Sequence, residues 1–337
     1  MQLAELAAGV RSLSLIGTCK NAGKTTALNA LIGPPARAGA GLALTSIGRD
    51  GESRDVVTDT PKPPVYVGRG ALIATAEGLL PLCDTTREIV AVTDVRTPMG
   101  RVVVFRALSD GFVQLGGPSM NDQLSHLREL FFMLGAQRVV IDGAAGRRSL
   151  CSRAVADSTV LCTGASLHRD IDTVVDETAH ICRLLSLPEL PGGLPEAEPG
   201  ARFTLHRPDG ECVVLAAASL PLELKRAGGA GLLAAAGAVT DSLMDSLVRS
   251  GVDISGLTLA AGDASQLLFS HKSLESWRRK GGKLAVARAA SLTAVTVNPV
   301  SVYGWRFDRQ EFLEKMAAAV SAPVFDVVGG RYARAQL

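Results

Sequence analysis

Short apolar runs alternate along the chain with longer stretches in which apolar residues recur at helical spacing, the pattern of an α/β fold. The first run, Leu13 to Ile16, reads as a strand, and the helix after it turns Leu28, Leu31 and Ile32 inward. Gly33-Pro-Pro-Ala-Arg-Ala-Gly39 breaks that pattern, and Gly41 to Ile47 reads as a second strand. The proline-rich stretch from Asp55 to Pro64 reads as a loop. Val65–Val67 and Ala71–Thr75 then read as short strands forming a hairpin. Arg101–Arg106 is a strand too apolar to be exposed on both faces. Ser119 suits the N-cap of a helix that runs through Leu134 and carries Leu124, Leu127, Leu130, Phe131 and Leu134 at helical spacing. Two further strands follow, Arg138–Gly143 and Ser158–Cys162. The next helix uses Ile171, Val174, Val175, Ile181, Leu184 and Leu185 as its inner stripe.

Leu187 to Gly200 is rich in proline and glycine and is the best place for a boundary. The division expected is a nucleotide-binding domain over 1–186, a connection over 187–200, and a C-terminal α/β region over 201–337 that could complete the same sheet. In that last region Phe203–His206 and Cys212–Ala216 read as strands around the turn Pro208-Asp-Gly210. Gly228 to Gly237 reads as a loop or a tightly packed helix, and Val239 to Arg249 as a helix with Leu243, Leu247 and Val248 facing in. Leu257–Ala260 and Leu292–Val297 read as strands flanking a basic helix, Ser270 to Lys280. The chain closes with a helix from Asp308 to Val320 and the run Pro323–Val328. Together these elements predict a mostly parallel sheet with helices on both faces.

Composition narrows the function classes. Of 337 residues, 47% are hydrophobic and 20% charged, a globular balance with length for a large core. Mean hydropathy is +0.23, yet no apolar run reaches the ~18 residues that a spanning helix needs. The N-terminal stretch carries Glu5 and no basic cluster, unlike a secretory signal. With 35 basic and 33 acidic residues, bulk charge gives no reason to expect nucleic-acid or membrane binding. Six cysteines without a C-x-x-C pair argue for a reducing, cytoplasmic setting and against a zinc or iron–sulfur site.

The most specific chemistry lies directly after the first strand, in Gly17-Thr-Cys-Lys-Asn-Ala-Gly-Lys-Thr-Thr26. A strand, a loop closing in Gly-Lys-Thr and a helix opening at its end make a phosphate-binding P-loop, with backbone N–H groups and the helix dipole aimed at an anion. Gly17, Thr18, Cys19, Lys20, Asn21, Ala22 and Gly23 would line the phosphates with Thr26. Lys24 would reach the β/γ-phosphates and the Thr25 hydroxyl would hold Mg²⁺. The usual spacing G-x-x-x-x-G-K-[ST] places its first glycine at position 18. Here that residue is Thr18, and Gly17 precedes it.

Three more positions belong to the same chemistry. Arg138-Val-Val-Ile-Asp142 is an apolar strand ending in an acid, the form of a Walker B element, and Asp142 would oppose Thr25 across Mg²⁺. The second strand delivers Gly48-Arg-Asp-Gly-Glu52, where Asp50 would position Mg²⁺ or the attacking water; an ordinary surface turn is the alternative. The strand at Leu292 ends in Asn298-Pro299, where Asn298 could read a base or ribose, or the pair could be a simple turn. Thr163-Gly-Ala-Ser166 is either a second phosphate- or substrate-contacting loop or a plain strand-to-helix turn.

This set of features resembles the SIMIBI class of P-loop proteins, which includes the molybdopterin-guanine-dinucleotide accessory proteins and dethiobiotin synthetase. Lys20-Asn-Ala-Gly-Lys-Thr-Thr26 is especially similar to the first of these. Lys20 stands one position nearer Lys24 than the signature lysine of the dimeric members stands to its own motif lysine. A narrower resemblance rests on Thr45–Glu52, Thr97-Pro-Met-Gly100, Ser109-Asp-Gly111, Gly117-Pro-Ser119, Ile141-Asp-Gly-Ala144, Thr163-Gly-Ala-Ser166 and Val297-Asn-Pro-Val300. These blocks are similar to the P-loop subunit of the lysine 5,6-aminomutase reactivase. The resemblance implies an ATP-driven factor that restores an adenosylcobalamin-dependent aminomutase, acting with a second ATPase subunit. A homodimer is also compatible with the sequence.

Three functions stay open on the sequence: such a reactivating ATPase, an ATP-dependent synthetase of the dethiobiotin type, and a nucleotide-gated binding module with negligible turnover. ATP is favoured and GTP stays open, since no Asn-Lys-x-Asp guanine signature occurs.

Overall fold

The structure is a computed structural model that describes residues 2–33, 39–48, 64–145, 152–153, 155–196, 200–216, 219–226 and 230–334. The chain forms two compact units, Met1–Ala179 with Ser291–Leu337, and His180–Ala290. Among the described residues no helix is long and apolar enough to cross a membrane.

The first unit opens with α1 (Leu3–Leu6), β1 (Ser12–Gly17), α2 (Lys24–Ile32), β2 (Leu42–Ser46), β3 (Val65–Val67) and β4 (Leu72–Ala76). It continues through β5 (Arg87–Thr97), β6 (Gly100–Ala107), β7 (Gly111–Val113), α3 (Asn121–Met133), β8 (Arg138–Ala145), β9 (Ser158–Gly164) and α4 (Ile171–Leu185). The unit boundary falls within α4, between Ala179 and His180. After the second unit the chain returns as β17 (Leu292–Asn298), α8 (Arg309–Ala319), β18 (Val324–Asp326) and β19 (Arg331–Ala333).

These strands build a ten-stranded sheet in the order β19-β18-β17-β9-β1-β8-β2-β4-β6-β5. The fold is therefore α/β, with a mixed sheet. It is parallel from β18 through β4 and antiparallel at both margins, where β19 meets β18 and where β4, β6 and β5 meet. Every residue of β1 and β9 is buried, as expected of parallel strands covered on both faces. At the far margin β5 stays partly exposed along its whole length, and two register shifts against β6 bend it, one way of blunting an edge.

Three local expectations are corrected. Val65–Val67 and Leu72–Ala76 are not a hairpin: β3 pairs with β7, while β4 lies parallel to β2. Between them Gly70, at φ +95°, gives its N–H to the Ala107 carbonyl, and Ala107 returns a bond to Ala71, so the chain is committed to β6. Ser119 is not the cap of α3. The residue before the helix is Met120, in extended backbone at φ −110°, and Ser119 stands one place too early. The expected C-terminal region divides: 201–290 falls in the second unit, whereas β17 pairs in register with β9 and so completes the sheet of the first unit, as the sequence allows. A buried parallel strand carries no periodicity that names its neighbours.

The second unit holds β10 (Phe203–His206), β11 (Cys212–Leu215), α5 (Leu220–Arg226), β12 (Gly231–Ala235), β13 (Val239–Thr240) and α6 (Asp241–Arg249). β14 (Leu257–Ala261), β15 (Leu267–Leu268), α7 (His271–Arg279) and β16 (Lys283–Val286) complete it. Its five-stranded sheet runs β11-β10-β12-β14-β16, parallel across β12, β14 and β16. Gly231–Ala235 is thus a central strand rather than a loop or helix. Its first residue sits at φ +122°, and a side chain there would collide with the His206 carbonyl. Trp277 is fully buried and donates its indole N–H to the Lys283 carbonyl at 3.1 Å. The expected connection at 187–200 begins inside this unit, where Leu190 donates to the Val286 carbonyl at 2.7 Å.

The return of the chain is locked at α8. Asp308 accepts from the backbone N–H groups of Gln310 and Glu311, both at 2.9 Å, as an N-cap. Arg309 Nη1 meets Asp326 Oδ2 at 2.6 Å, and Asp326 is 1% exposed. Arg309 is 35% exposed, and its loss leaves the buried carboxylate short of one charged partner, so Arg309→Met is expected to cost about 2 kcal/mol. Lys315→Met removes only exposed pairs with Asp172 and Glu311, which are together worth under about 1 kcal/mol. Denaturant unfolding of the two variants checks the difference, and equal costs would contradict it.

Candidate functional site

β1 is a fully buried strand that ends at Gly17, and α2 begins at Lys24, so the residues between must turn sharply at the carboxyl edge of the sheet. Lys24 lies back over that turn. A Cβ on Gly17 would come within 3.1 Å of Lys24 Nζ and 3.1 Å of the Cys19 carbonyl oxygen. A side chain at Gly17 would crowd both the lysine and the Cys19 carbonyl. Thr18 has a different task. Its N–H donates to the Cys162 carbonyl at 2.9 Å, and its hydroxyl donates to Thr163 Oγ1 at 3.1 Å. Thr163 is hydrogen-bonded to Thr178 at 2.8 Å, and Thr178 donates to the Val174 carbonyl, so a run of hydroxyls ties the loop to β9 and α4.

The other side of the loop is held by β17. Among the described residues Asn21 is the one non-glycine residue with a positive φ, at 59°, and its carbonyl accepts from Asn298 Nδ2 at 3.1 Å. Gly23, at φ +88°, packs so close that a Cβ would reach Asn298 Cβ at 3.3 Å. The other end of the Asn298 amide accepts from the Val300 N–H at 3.2 Å. Both ends of this side chain are thus engaged in holding backbone. Ala22 is buried, whereas Cys19, Asn21 and Lys24 to Thr26 are half-buried around the mouth and Lys20 is exposed.

Asp142 stands on β8, the immediate neighbour of β1, in register with Leu15. On its other side it pairs with Ser46 of β2, and the Asp142 carbonyl accepts from the Ile47 N–H at 2.9 Å. The structure thus brings Lys24, Thr25 and Asp142 to one edge. The Ser46 hydroxyl is buried and has no hydrogen-bond partner among the described residues. Arg49 and Asp50 lie outside the described residues, as do Arg147 and Arg148.

Electrostatics ties the two functional side chains together. Cys162, the register partner of Gly17, is wholly buried, and burial pushes its thiol up to about 11. A hydrogen bond with Thr296 and the positive charge of Lys24 oppose that rise, and the negative charge of Asp142 adds to it. Burial likewise raises the Cys19 thiol, against a hydrogen bond with Thr18 and the charge of Lys24. Neither cysteine is a ready thiolate.

The oxygens on offer suit Mg²⁺. The Thr25 hydroxyl and the Asp142 carboxylate are hard donors, and Mg²⁺ takes one or two protein oxygens while keeping water and phosphate as its remaining ligands. Among the described residues no group of three or more His, Cys, Asp or Glu could hold a metal ion.

A small cleft past the ends of β2 and β4 is lined by Gly48, Ala76, Thr97, Pro98, Met99, Gly116, Gly117 and Ser119. Gly117 presses against β2 here, and a side chain on it would collide with the Ser46 carbonyl. The separate glycine-rich turns of the sequence are the signal for this convergence, although their spacing does not reveal that they meet. Compared with models of protein families, with curated proteins and with solved structures, the chain matches none of them.

The buried thiol gives a pH dependence whose sign is fixed. Because folding raises the Cys162 pKa from its ordinary 9.0 to about 11, the unfolded chain loses this proton first. That contribution to stability is full below pH 9 and falls away as pH rises towards 11. Cys162→Ala is expected to lessen the loss of stability between those pH values, read from denaturant unfolding; an unchanged slope would contradict it.

Proposed function

We propose that the chain binds Mg·ATP at the loop from Gly17 to Thr26 and hydrolyses it, as a P-loop NTPase of the SIMIBI kind. The observation that carries this reading is Lys24 folded over Gly17 with Asp142 in register on the adjoining parallel strand. The loop backbone and the start of α2 bind the phosphates, a role that the dipole of that helix supports. Lys24 neutralises charge that builds on the β/γ oxygens as the terminal phosphoryl group transfers to water. Thr25 and Asp142 hold Mg²⁺, which when bound supplies further charge neutralisation at those oxygens. The Ser46 hydroxyl, buried beside Asp142 without a protein partner among the described residues, has a place for bound water there. Asp50 would position the attacking water.

The work done with this hydrolysis is the reactivation of an adenosylcobalamin-dependent aminomutase, in the cytoplasm and together with a second ATPase subunit. Support for that part is the resemblance of the sequence blocks. Three of these blocks also meet in the fold, since Gly48, Thr97–Met99, Gly117 and Ser119 line one cleft.

Lys24→Ala is expected to abolish Mg·ATP binding in calorimetric titration while leaving the circular dichroism spectrum unchanged. Affinity retained within a few-fold would contradict the reading. Addition of a cobalamin-dependent aminomutase should raise the ATPase rate. Stimulation by a small carboxylate instead would point to synthetase chemistry, and the partner assignment would fall.

A further inference from the structure

The loop that follows Asn298 carries aromatic surface in an unusual place. Tyr303 lies nearly parallel to Trp305, with ring centroids 5.5 Å apart and planes 22° apart. The Arg169 guanidinium sits 4.9 Å from the centre of the Trp305 ring. Trp305 is fixed from below, because its indole N–H donates to the Ala165 carbonyl at 2.9 Å and its own carbonyl accepts from Ser301. Tyr303, in contrast, is 55% exposed, and Val300 and Val302 are exposed beside it. A tyrosine held flat on a fixed tryptophan, with most of its surface open, is a rigid apolar platform.

Its position relative to the phosphate loop follows from hydrogen bonds. Asn298 binds the Asn21 carbonyl, the Asn298 carbonyl accepts from Ala165, and Ser166 Oγ accepts from the Val302 N–H. Gly164 packs so closely on Asn298 that a Cβ would come within 2.7 Å of the Asn298 carbonyl oxygen. The phosphate loop, the turn at 163–166 and the loop at 299–307 thus form one connected wall. Gly304, at φ +96°, makes the bend that sets Tyr303 against Trp305.

We infer that Tyr303, backed by Trp305 and Arg169, is the stacking surface for the base of the bound nucleotide, and that this surface favours a purine. The inference rests on the nucleotide reading above and assigns the base to residues that reading does not use. One N–H and one lone pair of the Asn298 amide hold backbone and fix that side chain, and the Tyr303 ring adds recognition by planar overlap. Stacking needs a ring and does not depend on its edge groups, and a purine covers more of the phenol than a pyrimidine does.

Calorimetric titration of the full chain with Mg·ATP and with Mg·triphosphate, which lacks base and sugar, separates the two claims. Tyr303→Ala is expected to weaken ATP binding by about tenfold or more while triphosphate binding stays unchanged. Tyr303→Phe should keep ATP affinity within about twofold, since the ring and not the hydroxyl makes the contact. Unchanged ATP affinity in Tyr303→Ala overturns the inference. So does an equal loss for ATP and triphosphate, which would mean that Tyr303 only supports the loop. In either case Lys24→Ala still abolishes both ligands if the nucleotide reading stands. If the unmutated chain binds neither compound, both readings fall.

Discussion

The carboxyl edge of the large sheet depends on how the segment between β1 and α2 is held. A tight turn cannot pair all of its own N–H and carbonyl groups, so neighbouring strands supply the partners. β17 reaches over with Asn298 to bind the Asn21 carbonyl, and β9 answers with Cys162 and Thr163 bound to Thr18. The positive φ of Asn21 and the left-handed Gly23 are held in place by these bonds. The return of the last residues to the first unit therefore places Asn298 where the loop needs a donor.

The same constraint explains the residue at position 18. A glycine there would give the loop freedom that the hydroxyl run from Thr18 through Thr163 and Thr178 takes away. The glycine stands one place earlier, at Gly17, close under Lys24 Nζ. The second unit has its own core, centred on Trp277 and the parallel strands β12, β14 and β16.

Much of this was legible in the sequence, for reasons that differ by element. The strand before Gly17, the helix after it and the acid at Asp142 follow from local order and apolar runs. The last helix, expected from Asp308 to Val320, follows from its spacing, and the turn at Pro208–Gly210 from residue chemistry. Sheet membership was not legible: β17 reads as a strand from Leu292 to Val297, but nothing in that run says that it lies beside β9. The β3–β4 hairpin failed because Gly70 hands the chain to β6 rather than turning it back. Asn298 was legible as a residue at a strand end, yet its role as a clasp needs the carbonyl of Asn21, which only the fold supplies. The Tyr303–Trp305 stack lies in a segment with no motif, and its meaning depends on the turn at Ala165.

The central claim is that the N–H groups from Gly17 to Thr26 take the phosphates of a magnesium-bound nucleotide. Amide hydrogen exchange with and without Mg·ATP tests it most directly. Protection should rise across Gly17–Thr26, and the strands β12, β14 and β16 of the second unit should be unchanged. Exchange in the loop that is the same in both samples, or protection confined to the second unit, would contradict it.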